Sequence, residues 1–204
     1  MFPLIFTRPR LIRALTLLSA LFCLALPAAH ATTEIVAYGD SGVAGKGLSP
    51  SQAYPAQLQR MLRQKGYDVS VVNRGVNGRT SADALANLDS EVSSSAKVVI
   101  VQFGVNDIKH AIPAEQVRRN IEEMVSRLRN RGVGVLIVGY PQVDNLSMIA
   151  SAHGALYVRW GGLPDSKFHV PNDPNNHFNA AGLEVMASRM LPAVEKLLRS
   201  NANG

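Results

Sequence analysis

Two stretches of this sequence, Val98–Phe103 and Val133–Val138, are almost unbroken runs of valine, isoleucine and leucine. Strands of this kind are typical of parallel sheets, because helices cover both faces and nearly every side chain is buried. Shorter apolar runs predict further strands at Glu34–Tyr38, Val69–Asn73 and Ala155–Val158. The sequence therefore predicts a mostly parallel sheet of roughly five strands.

Amphipathic stretches separate these runs, and such alternation is the signature of an α/β domain. In Ala114–Asn130 the apolar residues recur at helical spacing and predict one buried helix face. The other predicted helices are Tyr54–Lys65, Ser81–Ser90, Asn145–His153 and Ala180–Arg199. Helices on both sides of the sheet would make a three-layer α/β/α sandwich.

The first 31 residues are predicted to be a signal peptide that is removed, leaving residues 32–204 as a single domain. Three arginines precede Leu15–Leu26, which is short for a membrane span, and Ala29-His30-Ala31 matches a small-x-small cleavage site. An uncleaved membrane anchor is the alternative. Cleavage would also remove Cys23, the only cysteine, so disulfides would play no part. The mature protein is thus expected in the periplasm or outside the cell, without a stable membrane anchor.

The net charge of the chain excludes little by itself, but its distribution argues against nucleic-acid binding. The formal charge of +6 would fall to +3 without the signal's three arginines, since residues 1–31 contain no acidic side chain. The densest remaining basic run, Arg118–Arg131, falls on a predicted helix and is typical of a solvated face. No interleaved aromatic residues or binding motif accompany it. We therefore predict no nucleic-acid partner.

Polar residues follow the predicted strands at the points where a doubly wound sheet binds its ligands, which is outside the carboxyl ends of the strands. Ser41 follows the first strand, Gly78 lies in the loop after the second, and Asn106 follows the third. His177 lies in the loop that enters the last helix. The topology is therefore expected to bring these residues to one rim.

These residue types match the needs of acyl transfer. A serine hydroxyl is a weak nucleophile until a neighbouring imidazole accepts its proton. The tetrahedral intermediate then places negative charge on the former carbonyl oxygen, which fixed hydrogen-bond donors stabilise. Taken singly, Ser41 and Asn106 could each belong to a turn or helix cap, and His177 could be an ordinary loop histidine.

Two better-known motifs are absent. Gly45-Lys46-Gly47 lacks the Ser or Thr that follows the lysine of a phosphate-binding loop. Ser41 is followed directly by Gly42-Val43, so no Gly-x-Ser-x-Gly nucleophile elbow surrounds it. Neither nucleotide hydrolysis nor the ordinary α/β-hydrolase fold is supported.

Four ordered segments of the sequence resemble the blocks of the SGNH (GDSL) hydrolases, and the likeness covers nearly all of Glu34–Leu198. It is greatest for the branch of bacterial arylesterases and thioesterase/lysophospholipases. The segments are Tyr38-Gly39-Asp40-Ser41 with the following Ala44–Leu58, then Val71–Ser81, Gly104-Val105-Asn106-Asp107 and His177-Phe178-Asn179-Ala180-Ala181-Gly182.

The resemblance implies a flavodoxin-like fold and a serine esterase that needs no metal or cofactor. It implies Ser41 as nucleophile, His177 as general base, and an oxyanion hole formed by the Ser41 and Gly78 N–H groups with the Asn106 side chain. Asp40 and Asp107 are expected to bond loop backbone beneath the site. Outside the predicted signal peptide, the remaining histidines match no motif and are expected at the surface or in loops: His110, His153 and His169.

The third member of the triad departs from the family pattern. The family has an aspartate three residues before the histidine, where this chain has Pro174, and Asp173 lies one residue further back. We favour Asp173, delivered by a loop expanded by one residue. The alternatives are Asp165 or a backbone carbonyl holding His177 in a Ser–His dyad.

The function predicted from these residues is hydrolysis of a small-molecule carboxylic ester or thioester through an acyl-Ser41 intermediate. The chain between Pro141 and Asn145 is shorter than in the resembled enzymes, which predicts a shallower, more open cleft and short to medium acyl chains. One alternative is an O-acetyl esterase acting on envelope or extracellular polysaccharide. A second is a catalytically degenerate binding module, for which the shifted aspartate is the one argument.

Overall fold

The computed structural model describes residues 32–202, so the predicted signal peptide lies outside the described residues. All five strands of its sheet are parallel, in the order β2-β1-β3-β4-β5. Their bounds are Thr33–Gly39 for β1, Val69–Gly75 for β2, Val98–Gln102 for β3, Gly134–Gly139 for β4 and Leu156–Arg159 for β5. The predicted parallel sheet is therefore confirmed.

Seven α-helices accompany the strands in this part of the chain. Their bounds are Ser41–Ala44 for α1, Tyr54–Gln64 for α2, Ser81–Glu91 for α3, Val105–Lys109 for α4, Ala114–Asn130 for α5, Leu146–Ala152 for α6 and Ala180–Ala202 for α7. The sequence did not predict α1 and α4, because four or five residues are too few to show helical periodicity. These two short helices carry Ser41 and Asn106.

The helices form two layers, one on each face of the sheet. Alternate residues of β3 divide between them: Ile100 packs into the layer of α2 and α7, and Val99 into that of α3, α5 and α6. Every residue of β3 and β4 is buried, which explains why their sequences are almost entirely apolar. Each fully buried Val, Leu or Ile contributes about 1.5–3 kcal/mol, so this packing fixes the strand ends firmly.

The sheet order determines where a site can form. β1 lies between β2 and β3. The connection from β1 to β2 and the connection from β3 to β4 therefore run in opposite directions along the sheet. Such a topological switch point opens a crevice at the carboxyl ends of the strands. The loops that follow β1, β2 and β3 therefore meet at one place.

The basic run on α5 faces solvent as expected. Arg119 pairs with Glu115 and Arg127 with Glu123, in each case one helical turn apart on exposed positions. Among residues 32–202, no helix is both long and apolar enough to cross a membrane.

Candidate active site

Ser41 is held at the junction between β1 and α1. Asp40 is the N-cap of α1 and its side chain accepts a hydrogen bond from the Gly42 N–H at 2.9 Å. A Cβ on Gly42 would lie 2.7 Å from Gln102 Nε2 and 2.9 Å from Tyr140 Oη, so only glycine fits behind the serine. Ser41 Oγ lies 2.8 Å from His177 Nε2, within hydrogen-bonding distance.

Two successive turns fold the loop that carries the histidine. The first is closed by the Asp173 N–H and the Val170 carbonyl at 3.4 Å, with Asn172 at a φ of 58° in its third position, as in a type II turn. The second is closed by the Asn176 N–H and the Asp173 carbonyl at 3.0 Å, with Pro174 in its second position. The extra residue before His177 is thus absorbed by a proline turn.

That second turn brings the Asp173 carboxylate against the histidine. Asp173 Oδ2 accepts a hydrogen bond from the His177 backbone N–H at 2.6 Å and lies 2.5 Å from His177 Nδ1. The hydrogen bond from this backbone N–H is the main reason that the pKa of Asp173 is lowered to about 2. An ionised Asp173 keeps the proton on Nδ1, which leaves Nε2 free to face Ser41.

The alternative acid is occupied elsewhere. Asp165 accepts a hydrogen bond from the Lys167 N–H at 3.0 Å and pairs with the Lys167 ammonium at 3.0 Å. Geometry therefore joins Ser41, His177 and Asp173 in one chain of contacts and leaves Asp165 out.

Asn106 sits in α4, directly after β3, and is tied to the neighbouring loop. Its Nδ2 donates to the Arg79 carbonyl at 2.9 Å, so its second amide proton is left for another acceptor. Asp107 next to it is fully buried and accepts from both the N–H and the hydroxyl of Ser81, at 3.0 and 2.6 Å. Asn120 donates to the same hydroxyl at 2.9 Å. This network fixes α4 to the start of α3.

Gly78 occupies a turn of the loop between β2 and α3. The Arg79 N–H donates to the Val76 carbonyl at 3.2 Å, and Gly78 has a φ of +79°, which favours glycine. Below the turn, the Val76 N–H donates to the Gly39 carbonyl at 3.0 Å. Above it, the Arg79 guanidinium makes a bidentate pair with Glu91 at 2.6 and 2.7 Å. The turn that contains Gly78 is thus anchored on both sides.

A buried polar cluster lies behind the nucleophile. The Tyr140 hydroxyl donates to Asp40 Oδ1 at 2.7 Å and accepts from Gln102 Nε2 at 2.9 Å. Asp40 is fully buried, and this burial raises its pKa to about 6 despite these donors. Asp40 therefore bonds loop backbone as expected and also belongs to a larger cluster.

A cavity of about 700 Å³ opens beside Ser41 and His177, within the usual range for ligand sites. The shallower, more open cleft expected from the short chain after Pro141 stays a prediction, since a volume does not measure depth. Pro141 and Gln142 line this cavity together with Trp160–Pro164, Phe178 and Leu183, which are distant from them in sequence.

Several residues of the site were missed by sequence reasoning. Gln102 is the one polar residue in the apolar run of β3, and that interruption was a usable signal. The sequence around Tyr140 and Glu91 carries no such signal, because their partners, Asp40 and Arg79, are distant in sequence. His110 is exposed and His153 pairs with Glu122 at 2.9 Å, as expected of surface histidines. Within residues 32–202, no group of three or more potential ligand side chains could hold a metal ion.

The amino-acid sequence is similar to a known protein family and to several of its characterised members. The model of the GDSL-like Lipase/Acylhydrolase family matches residues 37–194. Esterase TesA of Pseudomonas aeruginosa is 34% identical over 128 residues, covering 62% of this chain and 64% of the relative. The arylesterase of Vibrio mimicus is 29% identical over 129 residues, covering 63% and 64%. The matched stretch thus spans slightly less than two thirds of each relative.

Solved structures of similar fold include one of these relatives. The crystal structure of TesA superposes with a TM-score of 0.68 at 25% identity, over 81% of this chain and 99% of that one.

Proposed function

Because this chain belongs to the GDSL-like lipase/acylhydrolase family, we propose that it is an exported serine esterase acting on carboxylic esters or thioesters. The observation that carries the proposal is the contact chain from Ser41 Oγ through His177 to Asp173, with spacings of 2.8 and 2.5 Å. This spacing suits proton transfer away from the serine. We assign Ser41 as nucleophile, His177 as general base and Asp173 as the acid that orients it.

In the acylation step, Ser41 Oγ bonds to the substrate carbonyl carbon while its proton passes to His177 Nε2. Negative charge collects on the former carbonyl oxygen. The Ser41 N–H is at the start of α1, where helical N–H groups have no intrahelical partner, and we assign it to the oxyanion hole. The Gly78 N–H and the Asn106 amide complete that hole. The intermediate collapses, and the leaving alkoxide or thiolate takes the proton from His177.

In the deacylation step, His177 accepts a proton from water as its oxygen attacks the acyl-Ser41 carbonyl carbon. The same donors hold the second oxyanion. The bond to Ser41 Oγ then breaks, the serine recovers its proton from His177, and the carboxylic acid leaves. Throughout, Asp173 stabilises the imidazolium without being protonated itself.

The cavity supports a small-molecule ester with a short to medium acyl chain. Its wall is more apolar than polar, with Trp160 and Phe178 packed at a ring separation of 5.4 Å. A chain of moderate length would fill about 700 Å³ better than an acetyl group. Export to the periplasm or medium is supported by the signal-like residues 1–31.

The proposal is tested by labelling and by turnover together. A fluorophosphonate should label the wild type at Ser41 and leave Ser41→Ala unlabelled, because it requires an activated serine. A p-nitrophenyl ester series from acetyl to palmitoyl should show turnover that Ser41→Ala lacks. Absence of both signals in folded protein would favour the binding module. Labelling without turnover of these esters would favour a polysaccharide O-acetyl esterase.

A further inference from the structure

The indole ring of Trp160 lies next to the nucleophile. Its atom Cζ2 is 3.3 Å from the position that a Cβ on Gly42 would occupy, one residue after Ser41. Only 8% of Trp160 is exposed, and the residue lines the cavity beside Ser41. Cζ2 belongs to the edge of the indole that carries the ring nitrogen, so this edge is the one close to the nucleophile.

Three aromatic neighbours hold the indole in place. The centroid of its ring lies 5.9 Å from that of Tyr54, 6.1 Å from that of Tyr140 and 5.4 Å from that of Phe178. These separations are typical of favourable tilted and edge-on aromatic pairs. The three neighbours belong to the start of α2, the end of β4 and the loop before α7. The ring is therefore packed from three sides and has little freedom to turn.

The indole N–H has no acceptor within residues 32–202. Three polar side-chain atoms in this part of the chain are fully enclosed without a partner: Asp40 Oδ2, Tyr54 Oη and Gln102 Oε1. The indole nitrogen is not one of them, so it reaches open space, and the open space that Trp160 borders is the cavity. Buried tryptophans usually find an acceptor for this N–H. Because the group can only donate, a ligand that satisfies it must supply an acceptor.

Other polar side chains of the inner wall already have partners. The Tyr140 hydroxyl donates to Asp40 at 2.7 Å. The two ring nitrogens of His169 lie 2.7 Å from the Leu163 carbonyl oxygen and 3.1 Å from that of Asn176. These groups are therefore less available to a ligand than the indole N–H.

We propose that Trp160 is a specificity-determining residue whose indole N–H donates a hydrogen bond to an oxygen atom in the acyl group of the substrate. The preferred substrates are then esters of short or medium-chain acids that carry an ether or hydroxyl oxygen near the carboxyl group. The inference rests on the proposed esterase function, because Trp160 belongs to the wall assigned to the acyl chain. Apolar contacts bind the hydrocarbon part of such a chain, and the single donor fixes where its oxygen lies. A plain hydrocarbon chain leaves the N–H unpaired, which weakens its binding.

The kinetic test compares p-nitrophenyl esters of pentanoic, ethoxyacetic and β-methoxypropanoic acids. The two ethers are pentanoyl chains in which an oxygen replaces one methylene, so their size is nearly constant. In the wild type, the ratio of kcat/KM for at least one ether to that for the pentanoyl ester should be about three- to tenfold higher than in Trp160→Phe. Phenylalanine keeps an aromatic wall but donates nothing. Comparing the ratio between variants cancels the intrinsic reactivity of each ester.

Tyr67→Phe is the control for loss of an aromatic donor. It removes a hydroxyl that contacts Arg199 at 3.1 Å near the start of β2, at the opposite end of the sheet from Ser41. This variant should keep the wild-type ratio. Ratios in Trp160→Phe that equal those of the wild type for both ethers would overturn the proposal.

The fluorescence of Trp160 provides a readout that needs neither turnover nor a change at Trp160. It is the only tryptophan in the sequence, so the tryptophan emission of Ser41→Ala comes from this wall alone. Binding of ethyl ethoxyacetate or ethyl β-methoxypropanoate should shift the emission to longer wavelength, because a hydrogen bond from the indole N–H lowers the energy of the excited state. At least one of these ethers should also have a lower Kd than ethyl pentanoate.

Equal emission spectra and equal Kd values for the three ethyl esters would reject the proposal even if the esterase is active. Failure of fluorophosphonate to label Ser41 in the wild type would instead reject the esterase function.

Discussion

The two halves of the site are built by different means. The half that carries Ser41 and Asn106 rises from strand ends, and its supporting carboxylates, Asp40 and Asp107, are fully buried. The half that carries His177 is a surface loop, where the histidine and Asp173 side chains are each 15% exposed. Burial and hydrogen bonds between distant residues fix the first half, and local hydrogen bonds fix the second.

The two aspartates beside the reacting groups show what this difference does. Burial raises the pKa of Asp40 to about 6, while the His177 N–H lowers the pKa of Asp173 to about 2. An aspartate in the half that carries Ser41 is therefore harder to ionise than a free aspartate, and the aspartate in the half that carries His177 is easier to ionise. A carboxylate that must stabilise an imidazolium needs donors around it rather than burial.

The most severe test of the loop half is Asp173→Asn. The amide cannot hold the Nδ1 proton as a carboxylate does, so kcat should fall by about 10³–10⁴-fold at neutral pH. Asp165→Asn is the matched control, since Asp165 binds only Lys167 in this region, and should stay within twofold of wild type, about the effect of a surface change. Steady-state kinetics on one p-nitrophenyl ester gives both values. Equal activity of the two variants would instead support the alternative hypothesis of a Ser–His dyad.

The corresponding test of the strand half is Asn106→Ala. It removes one of the proposed oxyanion donors, so kcat should fall by about 10²–10³-fold with little change in KM. Asn87→Ala removes an exposed helical amide instead and should leave kcat unaltered. A large rise in KM with constant kcat would show that Asn106 binds the ground state rather than the oxyanion.

Asp40→Asn tests the cost of burial in the strand half. Because the pKa of Asp40 is raised, its ionisation opposes folding. The protonated Asp40 side chain contributes about 3 kcal/mol to the free energy of unfolding below pH 4. This contribution is lost as the pH rises through about 6. The asparagine variant should therefore gain stability relative to the wild type between pH 4 and 7. Urea unfolding at four pH values measures this difference.

Asp173→Asn is the control of opposite sign. The pKa of Asp173 is lowered, so its contribution is present above pH 4 and is lost as the pH falls toward 2. The wild type should lose its advantage over this variant in acid. Parallel pH dependences for the two aspartates would contradict the contrast between the halves.

The smallest expected effect concerns the anchor of the Gly78 turn. Glu91→Gln breaks the bidentate pair with Arg79, whose side chain is only 10% exposed, and should lower kcat about three- to tenfold through the oxyanion loop. Glu123→Gln breaks an exposed pair with Arg127 and should change kcat by less than about twofold. Equal effects would mean that the Arg79 anchor has no role in catalysis.

The sequence determined the sheet and the strand half of the site. Buried parallel strands need unbroken apolar residues, and ligands bind at their carboxyl ends, so Val98–Phe103 alone indicated both the strand and the rim that carries Asn106. Ser41 was predicted in the same way from its position after the first strand. The strands and the residues that directly follow them can be predicted because each depends on a short run of consecutive residues.

Tertiary structure alone decided the rest. The contact of His177 with Asp173, and not with Asp165, depends on two turns whose combined geometry no single residue fixes. The contacts of Tyr140 with Asp40 and of His169 with Leu163 and Asn176 also join residues that only the fold brings together. The cavity wall combines Trp160–Pro164 with Tyr140–Gln142, two segments that are separate in sequence. Hydrogen bonds and cavities depend on positions to within an ångström, and those positions are set by the packing of the whole sheet and its helices.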